Sequence, residues 1–434
     1  MKIIVIGGGP SGMMAAITAA INHEVILLEK NDRLAIKLLM SGNGRCNITN
    51  NKPIDEFINN CSKSTRFMYS ALSEFSILDL INFFENNGCK LMEEDNNRMF
   101  PVSNKAKSIL EVFEKQLIKN NVKIKFNTEV KDIEINNDLI TVKTNNETYY
   151  CDHLICTCGG LSYPNTGSNG FGYKLAKKLG HTIVPLIGVE VPLVSNEKVI
   201  QEKTLMGLSL NNVKVSLLID NKVKEKIQSD IMFTHFGLSG PAILYLSEKA
   251  AIALKQNKKV DIMITTSDNI NLDKKTIGQS IKGIAPKRWL DYLIEDQDRI
   301  VDQTSKKEVT EINEKLKGYV LNITDTLPIE KAIVTSGGIK TSEIDQKSMK
   351  SKLQNNISFC GEVLDIHGPI GGYNLTLAII SGYCAGKNIW LFISENLNII
   401  KLIKGENNEK LSYKIISITI NSYVFSRMFT KGCR

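Results

Sequence analysis

The chain has 434 residues, of which 42% are hydrophobic and 23% charged, an ordinary globular composition for two or three domains. Its net charge of +8 would suit an anionic partner, but residues 396–434 hold seven Lys or Arg and two Asp or Glu, which leaves about +3 for the rest. This near balance argues against a nucleic-acid-binding protein, and no apolar run approaches the roughly 20 residues of a membrane span.

The nine cysteines are an odd number, which does not fit a complete set of disulfide bonds. Residues 3–6 already have the pattern of a strand rather than of a secretory leader, so reduced thiols in the cytoplasm are expected. No two cysteines have the Cys-x-x-Cys spacing of a zinc site. No metal site is therefore predicted.

The first motif begins at the start of the chain, where a strand at 2–6 is followed by Gly7, Gly9 and Gly12 and then by an Ala-rich helix. In a dinucleotide-binding unit these glycines permit the turn, the approach of the pyrophosphate, and close packing of helix on strand. The helix N-terminus offers amides to the phosphates. Glu29 ends the next strand, where a carboxylate accepts from ribose hydroxyls and repels a 2′-phosphate. Together these features predict a Rossmann-type site for NAD or FAD.

The following elements of the first half are predicted in chain order: a Gly/Asn/Ser-rich loop at 34–50, a helix at 57–86, a helix at 105–119 capped by Ser103 or Asn104, a meander of strands at 122–126, 130–135, 139–143 and 148–150, and a buried strand at 153–157. The elements predicted after about residue 189 are strands at 213–219 and 260–264, polar helices within 273–317, buried strands at 332–334 and 357–360, and a final helix at 372–385.

The choice between NAD and FAD depends on the far end of the chain. The strand at 357–360 leads into Gly361 and Glu362, and Gly371–Leu375 then opens the final helix. In flavoproteins of this type the second strand returns beside the first, and its acidic residue reaches the ribityl chain. The Gly-Gly helix start points its amides at the flavin pyrimidine, where negative charge accumulates on reduction. Both ends of the chain therefore predict one bound FAD.

The sequence resembles the bacterial family of FAD-dependent proteins called NAD(P)/FAD-dependent oxidoreductases or aminoacetone-oxidase-like proteins, which includes a 3-dehydro-bile-acid reductase. The resemblance extends from residue 1 to about 390 and depends on five further stretches: Ser41–Asn50, Arg98–Pro101, Gly159–Ser168, Phe233–Pro241 and Gly361–Asn374. It implies a FAD domain with an inserted β-barrel-like module and a small helical piece. Two features depart from the family pattern: Cys158 stands where Thr is usual, and the tail beyond about Trp390 matches nothing in the family.

The predicted fold class is α/β, a Rossmann-type FAD-binding domain with an inserted β-rich, barrel-like module and a small helical piece. The predicted domains are a first FAD-binding segment at 1–190, the inserted module at 191–331, a closing FAD-binding segment at 332–390, and a C-terminal extension of doubtful function at 391–434. The candidate cofactor-binding residues are Gly7, Gly9, Pro10, Ser11, Gly12, Glu29, Lys30, Gly44, Arg45, Cys46, Asn47, Val130, Gly159, Gly160, Gly361, Glu362, Gly371, Gly372, Tyr373, Asn374 and Leu375.

Two residues are candidates for catalysis. Arg45 lies in the loop that passes close to the isoalloxazine in related folds, where it would stabilise anionic reduced flavin or instead form an ion pair that fixes the loop. His235 would donate a proton to the substrate, although a histidine before a glycine more often fixes a loop. Flavin disulfide reductases carry a second cysteine about five residues from the first, whereas the cysteine after Cys46 is Cys61. A redox dithiol is therefore not expected.

The sequence thus predicts an enzyme in which hydride passes from NADH or NADPH through FAD to an unsaturated or carbonyl-containing small molecule. The nicotinamide would bind transiently, because only one Gly-rich dinucleotide motif is present. Two alternatives stay open at this point: a flavin oxidase that uses oxygen, and a flavin-bound RNA-interacting or sensor protein. A small-molecule substrate, no nucleic acid and no membrane partner are expected, and the oligomeric state is open.

Overall fold

The computed structural model describes residues 1–136, 139–268 and 270–390. The strands are β1 Lys2–Ile6, β2 Glu24–Leu28, β3 Thr49–Asn50, β4 Leu91–Glu94, β5 Arg98–Pro101, β6 Lys123–Lys125, β7 Val130–Asn136, β8 Leu139–Thr144, β9 Thr148–Cys151, β10 His153–Cys156, β11 Ile183–Val189, β12 Leu193–Val194, β13 Ser209–Ile219, β14 Lys222–Phe233, β15 Gly237–Ser239, β16 Val260–Thr265, β17 Tyr319–Ile323, β18 Asp325–Thr326, β19 Val334–Ile339 and β20 Ile357–Phe359. The α-helices are α1 Pro10–Ala19, α2 Ile36–Met40, α3 Ile54–Asn59, α4 Tyr69–Glu74, α5 Ile77–Asn86, α6 Ala106–Lys119, α7 Phe171–Lys178, α8 Lys198–Gln201, α9 Pro241–Lys255, α10 Ile277–Ile281, α11 Lys287–Leu293, α12 Lys306–Lys317 and α13 Tyr373–Lys387.

A five-stranded parallel sheet in the order β20-β10-β1-β2-β6 forms the centre of the nucleotide-binding domain. Its inner strands β10, β1 and β2 are buried on both faces over most of their length, which is why they appear in the sequence as short continuous apolar runs. Helices α1 and α13 pack so closely that a Cβ at Gly382 would lie 2.2 Å from the Ser11 carbonyl oxygen. The Gly7–Gly12 loop after β1 and the Gly361–Asn374 segment after β20 therefore start from one sheet, as the sequence predicts.

The meander prediction is right for three strands and wrong for one. Strands β7, β8 and β9 form an antiparallel three-stranded sheet. The segment predicted as the first meander strand is instead β6, which pairs in parallel with β2 and forms one edge of the parallel sheet. Alternating short strands separated by Asn-rich turns do not distinguish a local hairpin from a strand that returns to a distant edge.

Two helix predictions also need correction. The helix predicted at 57–86 is broken into α3, α4 and α5, with extended backbone at Phe75 and a capping box at Ser76 that starts α5. The helix predicted from residue 105 begins at Ala106 with Lys105 at the N-cap position, so neither Ser103 nor Asn104 caps it. The buried strand predicted at 332–334 is displaced and becomes β19.

The inserted region contains a seven-stranded antiparallel sheet in the order β17-β16-β13-β14-β15-β12-β18. Helices α9 to α12 cover it, and its separate hydrophobic core includes the fully buried Trp289 and Phe233. Its strands lie between residues 193 and 326, within the predicted module at 191–331. The antiparallel strands β11 and β19 connect this module to the nucleotide-binding domain.

Residues 1–387 cluster as one compact unit. The predicted extension at 391–434 lies outside the described residues. Among the described residues, none of the helices has the length and apolar character needed to cross a membrane. The same residues contain no cluster of His, Cys, Asp and Glu suited to a metal ion.

Candidate active site

A cavity of about 1170 Å³ opens at the carboxyl ends of the parallel strands β1, β2, β10 and β20. This is the edge of an open α/β sheet at which dinucleotides and other ligands bind. The volume exceeds the range of about 300–1,000 Å³ that is usual for a site that holds one drug-sized ligand. The cavity therefore has room for an extended dinucleotide and a second molecule.

The Gly-rich loop after β1 forms one wall of this cavity. Gly7 has a φ of +103°, which favours glycine, and a Cβ on Gly12 would lie 1.9 Å from the Gly7 carbonyl oxygen. Gly9 differs from both, because its φ is −76° and a Cβ there would meet no protein atom within 4 Å. The space beside Gly9 is therefore open cavity next to the first-turn amides of α1, which is where a pyrophosphate fits.

Glu29 lies at the end of β2 and is 7% exposed. Its Oε2 accepts from Gly8 N at 2.7 Å, and its Oε1 accepts from Asn31 N at 2.8 Å. The Oε1 atom also accepts from Asn31 Nδ2 at 2.7 Å. Glu29 lines the cavity, and its Oε2, whose one donor among the described residues is Gly8 N, has a further lone pair with which to accept from a ribose hydroxyl. Lys30, Pro10, Ser11 and Val130 also line the cavity.

The carboxylate of Glu362, after β20, is held by a network that sequence reasoning did not anticipate. It accepts from Lys37 Nζ at 2.9 Å, from Ser162 Oγ at 3.1 Å and from Thr335 N at 3.0 Å. Burial alone would raise its pKa, but the Lys37 ammonium and these donors hold the pKa below its ordinary value. Glu362 lines the cavity as an ionised group whose orientation is fixed by protein contacts.

The turn before α13 forms the opposite wall. Gly371 and Gly372 have φ values of +118° and +95°, and a Cβ on Gly372 would lie 2.4 Å from the carbonyl of Thr49. The Asn374 side chain closes this turn, since its Oδ1 accepts from Gly368 N at 3.0 Å and its Nδ2 donates to Gly368 O at 2.7 Å. The Tyr373 ring stacks on Phe57 with centroids 4.5 Å apart. Gly361, Gly371–Asn374 and Leu375 all line the cavity.

Asn50 connects this turn to the loop after β2, and sequence reasoning did not single it out. Its Nδ2 donates to Gly371 O and to Asn96 O, both at 3.0 Å. Its Oδ1 is buried without a partner among the described residues and lines the cavity. A buried acceptor of this kind normally has a donor, which an ordered water or a bound molecule can supply. In the sequence, the feature that could have pointed to Asn50 was its position as the last residue of the Ser41–Asn50 motif.

The loop at 41–47 supplies fewer cavity residues than predicted. Arg45 does not line the cavity. Its guanidinium forms an ion pair with Glu94, bonds to Asn104 and lies over the Phe100 ring at 4.3 Å. Arg45 therefore fixes the loop, the alternative that the sequence left open. Gly44 and Cys46 also lie outside the cavity lining, whereas Asn47 lines it and, with its amide oxygen turned towards Gly372, accepts from Gly372 N at 3.2 Å.

Three other predicted residues complete this comparison. Gly159, with a φ of +70°, lines the cavity, whereas Gly160 does not and packs against Thr335. His235 is exposed between β14 and β15, contacts the Phe236 ring and is not part of the cavity. The structure thus gives His235 no position from which to act on a ligand bound there.

The inserted module and the strands that connect it contribute residues that the sequence did not predict. Its apolar contribution to the cavity wall comprises Ile227, Pro241, Leu244 and Tyr245, and Ile333, Pro369 and Ile370 lie on adjoining segments. Tyr245 and Ile370 are 48% and 44% exposed, so this wall is open to an incoming molecule. The acidic residue Glu190 also lines the cavity, beside this apolar wall. In the sequence, Glu190 stood out only as a charged residue within the apolar segment Ile187–Leu193.

The parallel sheet, the Gly7–Gly12 loop and the returning Gly361–Asn374 segment define a dinucleotide-binding protein of the Rossmann type. The model of the family described as HI0933-like protein Rossmann domain matches residues 1–388. The chain belongs to this FAD-binding family, and both the predicted resemblance and the predicted fold class are confirmed. It is accordingly a FAD-binding member of an oxidoreductase family.

Two curated proteins are similar over most of their length. The 3-dehydro-bile acid delta(4,6)-reductase of Clostridium scindens is 28% identical over 408 residues, which cover 89% of this chain and 98% of that protein. The ribosomal RNA dihydrouridine synthase of Haemophilus influenzae is 29% identical over 400 residues, with coverage of 89% and 98%. Among solved structures, the 3-ketosteroid delta1-dehydrogenase from Sterolibacterium denitrificans has a TM-score of 0.50 at 12% identity and covers 90% of this chain and 99% of that one. At this identity the structural likeness shows the fold alone.

We expect Cys46→Ser to reduce its bound FAD at a rate within about tenfold of the parent, a barrier change of no more than roughly 1.4 kcal/mol. Burial raises the pKa of the Cys46 thiol to about 12, so it stays protonated and unreactive, and the side chain does not line the cavity. Stopped-flow reduction under anaerobic conditions measures this rate. A loss of several orders of magnitude with FAD still bound would restore a thiol-redox mechanism.

We expect a chain that ends near Ile393 to bind FAD as well as the full chain and to melt within a few degrees of it. The family model ends at residue 388, and the described cavity is built from residues before that point. FAD absorbance per chain and thermal unfolding of both proteins test the prediction. Loss of flavin or insoluble protein would place residues 394–434 in the core.

Proposed function

We propose that this protein is a FAD-dependent reductase that adds a hydride and a proton across a carbon–carbon double bond conjugated to a carbonyl group. The observation that carries the proposal is one continuous cavity that extends from the Gly7–Gly12 loop to the apolar wall of the inserted module. The dinucleotide residues occupy one part of this cavity, and the apolar residues border space for a second molecule.

The names of the two curated relatives describe one type of reaction. A delta(4,6)-reductase of a 3-oxo compound and a dihydrouridine synthase both place two hydrogens on a carbon–carbon double bond, and in each case a carbonyl is conjugated with it. Conjugation matters because it lets the carbonyl oxygen accept the negative charge that a hydride creates. This shared chemistry supports a reductase over an oxidase for this chain.

The protein's own residues bind and orient both molecules. Asn50 and Asn47 fix the Gly371–Gly372 turn, whose amides lie at the positive end of α13. When bound, FAD supplies the hydride. The Lys37–Glu362 pair holds the returning β20 segment against Ser162, so the cavity keeps its shape while the second molecule exchanges. The apolar wall excludes water from the face at which that molecule lies.

The electron donor in this proposal is NADH or NADPH, which would bind for a moment at the open apolar wall. Anaerobic holoprotein is mixed with each nicotinamide and with 2-cyclohexen-1-one, and the product is identified by mass spectrometry. Cyclohexanone formed at the expense of the nicotinamide supports the proposal. Peroxide formed in air on addition of a saturated substrate, with no reduction of the enone, would support an oxidase instead.

A second candidate substrate is a uridine in RNA, and the observation that supports it is a group of exposed lysines on the inserted module. Lys222, Lys224 and Lys226 are exposed near the tip of the β13–β14 hairpin, on the strand that also brings Ile227 to the cavity. Binding to such lysines would weaken steeply with salt, because phosphate contacts release counterions. Tight, salt-dependent binding of ribosomal RNA and its conversion to dihydrouridine would favour this candidate over the small enone.

A further inference from the structure

Glu190 has an unusual position between the two ligand-binding walls. It directly follows β11, and its φ is +55°, which is a left-handed backbone conformation. This conformation is unfavourable for residues other than glycine, so contacts with the surrounding protein must stabilise it. The side chain is 5% exposed and lines the cavity. Glu190 therefore places a carboxyl group at the cavity, although its neighbours in sequence are apolar.

The two oxygens of this carboxyl group have different surroundings. Its Oε1 accepts a hydrogen bond from the backbone amide of Ile370, next to the Gly371–Gly372 turn. Its Oε2 is buried and has no hydrogen-bond partner among the described residues. A buried carboxyl oxygen without a partner at a ligand cavity is the position from which a proton can be passed to a bound molecule.

Burial keeps the carboxyl group of Glu190 neutral. Burial raises the pKa of Glu190 to about 8, and the nearby carboxylates of Glu248 and Glu362 add to this effect. The Ile370 amide and the Lys37 ammonium act in the opposite direction but do not outweigh the burial. These groups face Glu190 from α9, α2 and the segment after β20. At neutral pH the side chain is therefore a carboxylic acid that still carries its proton.

We propose that Glu190 is the acid that delivers the proton to the substrate in the reduction described above, an assignment that rests on the proposed function. Bound reduced FAD would supply the hydride for a C–H bond at the β-carbon of the conjugated double bond, and the electron pair of that double bond would move towards the carbonyl oxygen. The Glu190 O–H bond breaks as a second C–H bond forms at the α-carbon, and the carbonyl is restored. The carboxylate that remains takes a proton from water before the next turnover.

The protonation state is tested first, without reference to activity. Because its folded pKa lies above the unfolded value of about 4.3, Glu190 destabilises the fold increasingly as pH rises from about 4.3 to about 8. The melting temperature of Glu190→Gln holoprotein relative to wild type should therefore rise across this window and level off outside it. Glu330→Gln, the same change at an exposed position outside the cavity, should show no such trend. A pH-independent difference for Glu190→Gln would overturn the proposal.

The half-reactions then test the role. Reduced protein is mixed anaerobically with 2-cyclohexen-1-one and with 4-androstene-3,17-dione, and reoxidation is followed by absorbance. Glu190→Gln should slow reoxidation by about 10²–10⁴-fold, while its reduction by nicotinamide stays within about threefold of wild type. Glu190→Asp should recover part of the loss. The wild-type reoxidation rate should fall about tenfold per pH unit above pH 8, and that of Glu190→Gln should not.

The outcomes separate the two proposals. If wild type reduces an enone and Glu190→Gln does so equally fast, Glu190 is not the acid, and the proposed function stands. If Glu190→Gln slows both half-reactions equally, the residue acts on the cofactor site, and the assignment to substrate is wrong. If reduced wild type is reoxidised by neither enone, the proposed function fails, and the role of Glu190 in it fails as well.

Discussion

Gly9→Val is expected to fold normally and to lose FAD, with an affinity at least 100-fold lower, about 2.7 kcal/mol. The backbone at Gly9 has a φ of −76°, which valine adopts without strain, and the new Cβ would meet no protein atom. Its branches would instead occupy the space for the pyrophosphate. Flavin absorbance per chain measures the loss, and circular dichroism checks the fold.

Two comparisons make this result specific. Ala20→Val, at the opposite end of α1 and outside the cavity lining, should keep its FAD. Gly12→Val should fail to fold, because its Cβ would clash with the Gly7 carbonyl oxygen at 1.9 Å. Stoichiometric FAD in folded Gly9→Val would mean that the pyrophosphate does not bind at this loop.

Glu362→Gln is expected to lower the free energy of unfolding by about 3 kcal/mol at pH 7. The change replaces a carboxylate that accepts from Lys37, Ser162 and Thr335 N by an amide with one acceptor and a donor facing other donors. Lys37 is about one-third exposed and can turn to water, which limits the cost. Urea unfolding of both proteins measures the difference.

The same difference should depend on pH with a definite sign. The folded pKa of Glu362 lies below the unfolded value of about 4.3, so its contribution is complete above that pH and is lost as pH falls through the folded pKa. The wild-type advantage over Glu362→Gln should thus be full at pH 7 and shrink below about pH 4. A difference that is constant from pH 7 to pH 3 would contradict an ionised Glu362.

The dinucleotide half of the site was predictable because its requirements are local. Gly7 and Gly12 have a backbone or packing reason to be glycine, and so has the Gly371–Gly372 turn, whereas Gly9 borders the space for the ligand. Such positions leave a clear trace in sequence, since a Cβ would clash with the backbone or enter the ligand space. The parallel core strands were predictable for a related reason, because burial on both faces leaves short apolar runs.

The apolar part of the cavity was not predictable, because it is assembled from distant segments. Arg45 was a reasonable candidate because its loop passes close to the flavin in related folds. In the structure it forms an ion pair with Glu94, and nothing in the sequence indicates that pairing. His235 is exposed and does not line the cavity. Glu190 has an unremarkable sequence context, and only the folded chain brings it to the Ile370 amide and near the charges of α9 and α2. Strand β6 was misassigned for the same reason, since its partner is far along the chain.

Reoxidation of the reduced holoprotein by a conjugated enone tests the proposed reaction most directly. Protein reduced with dithionite is mixed in a stopped-flow instrument, without oxygen, with 2-cyclohexen-1-one or with cyclohexanone, which lacks the double bond. A conjugated-bond reductase should be reoxidised by the enone at a rate that rises with enone concentration, should form one cyclohexanone per FAD, and should stay reduced with cyclohexanone. Protein that both ketones leave reduced, but that air reoxidises at once to peroxide, would contradict the reductase and identify an oxidase.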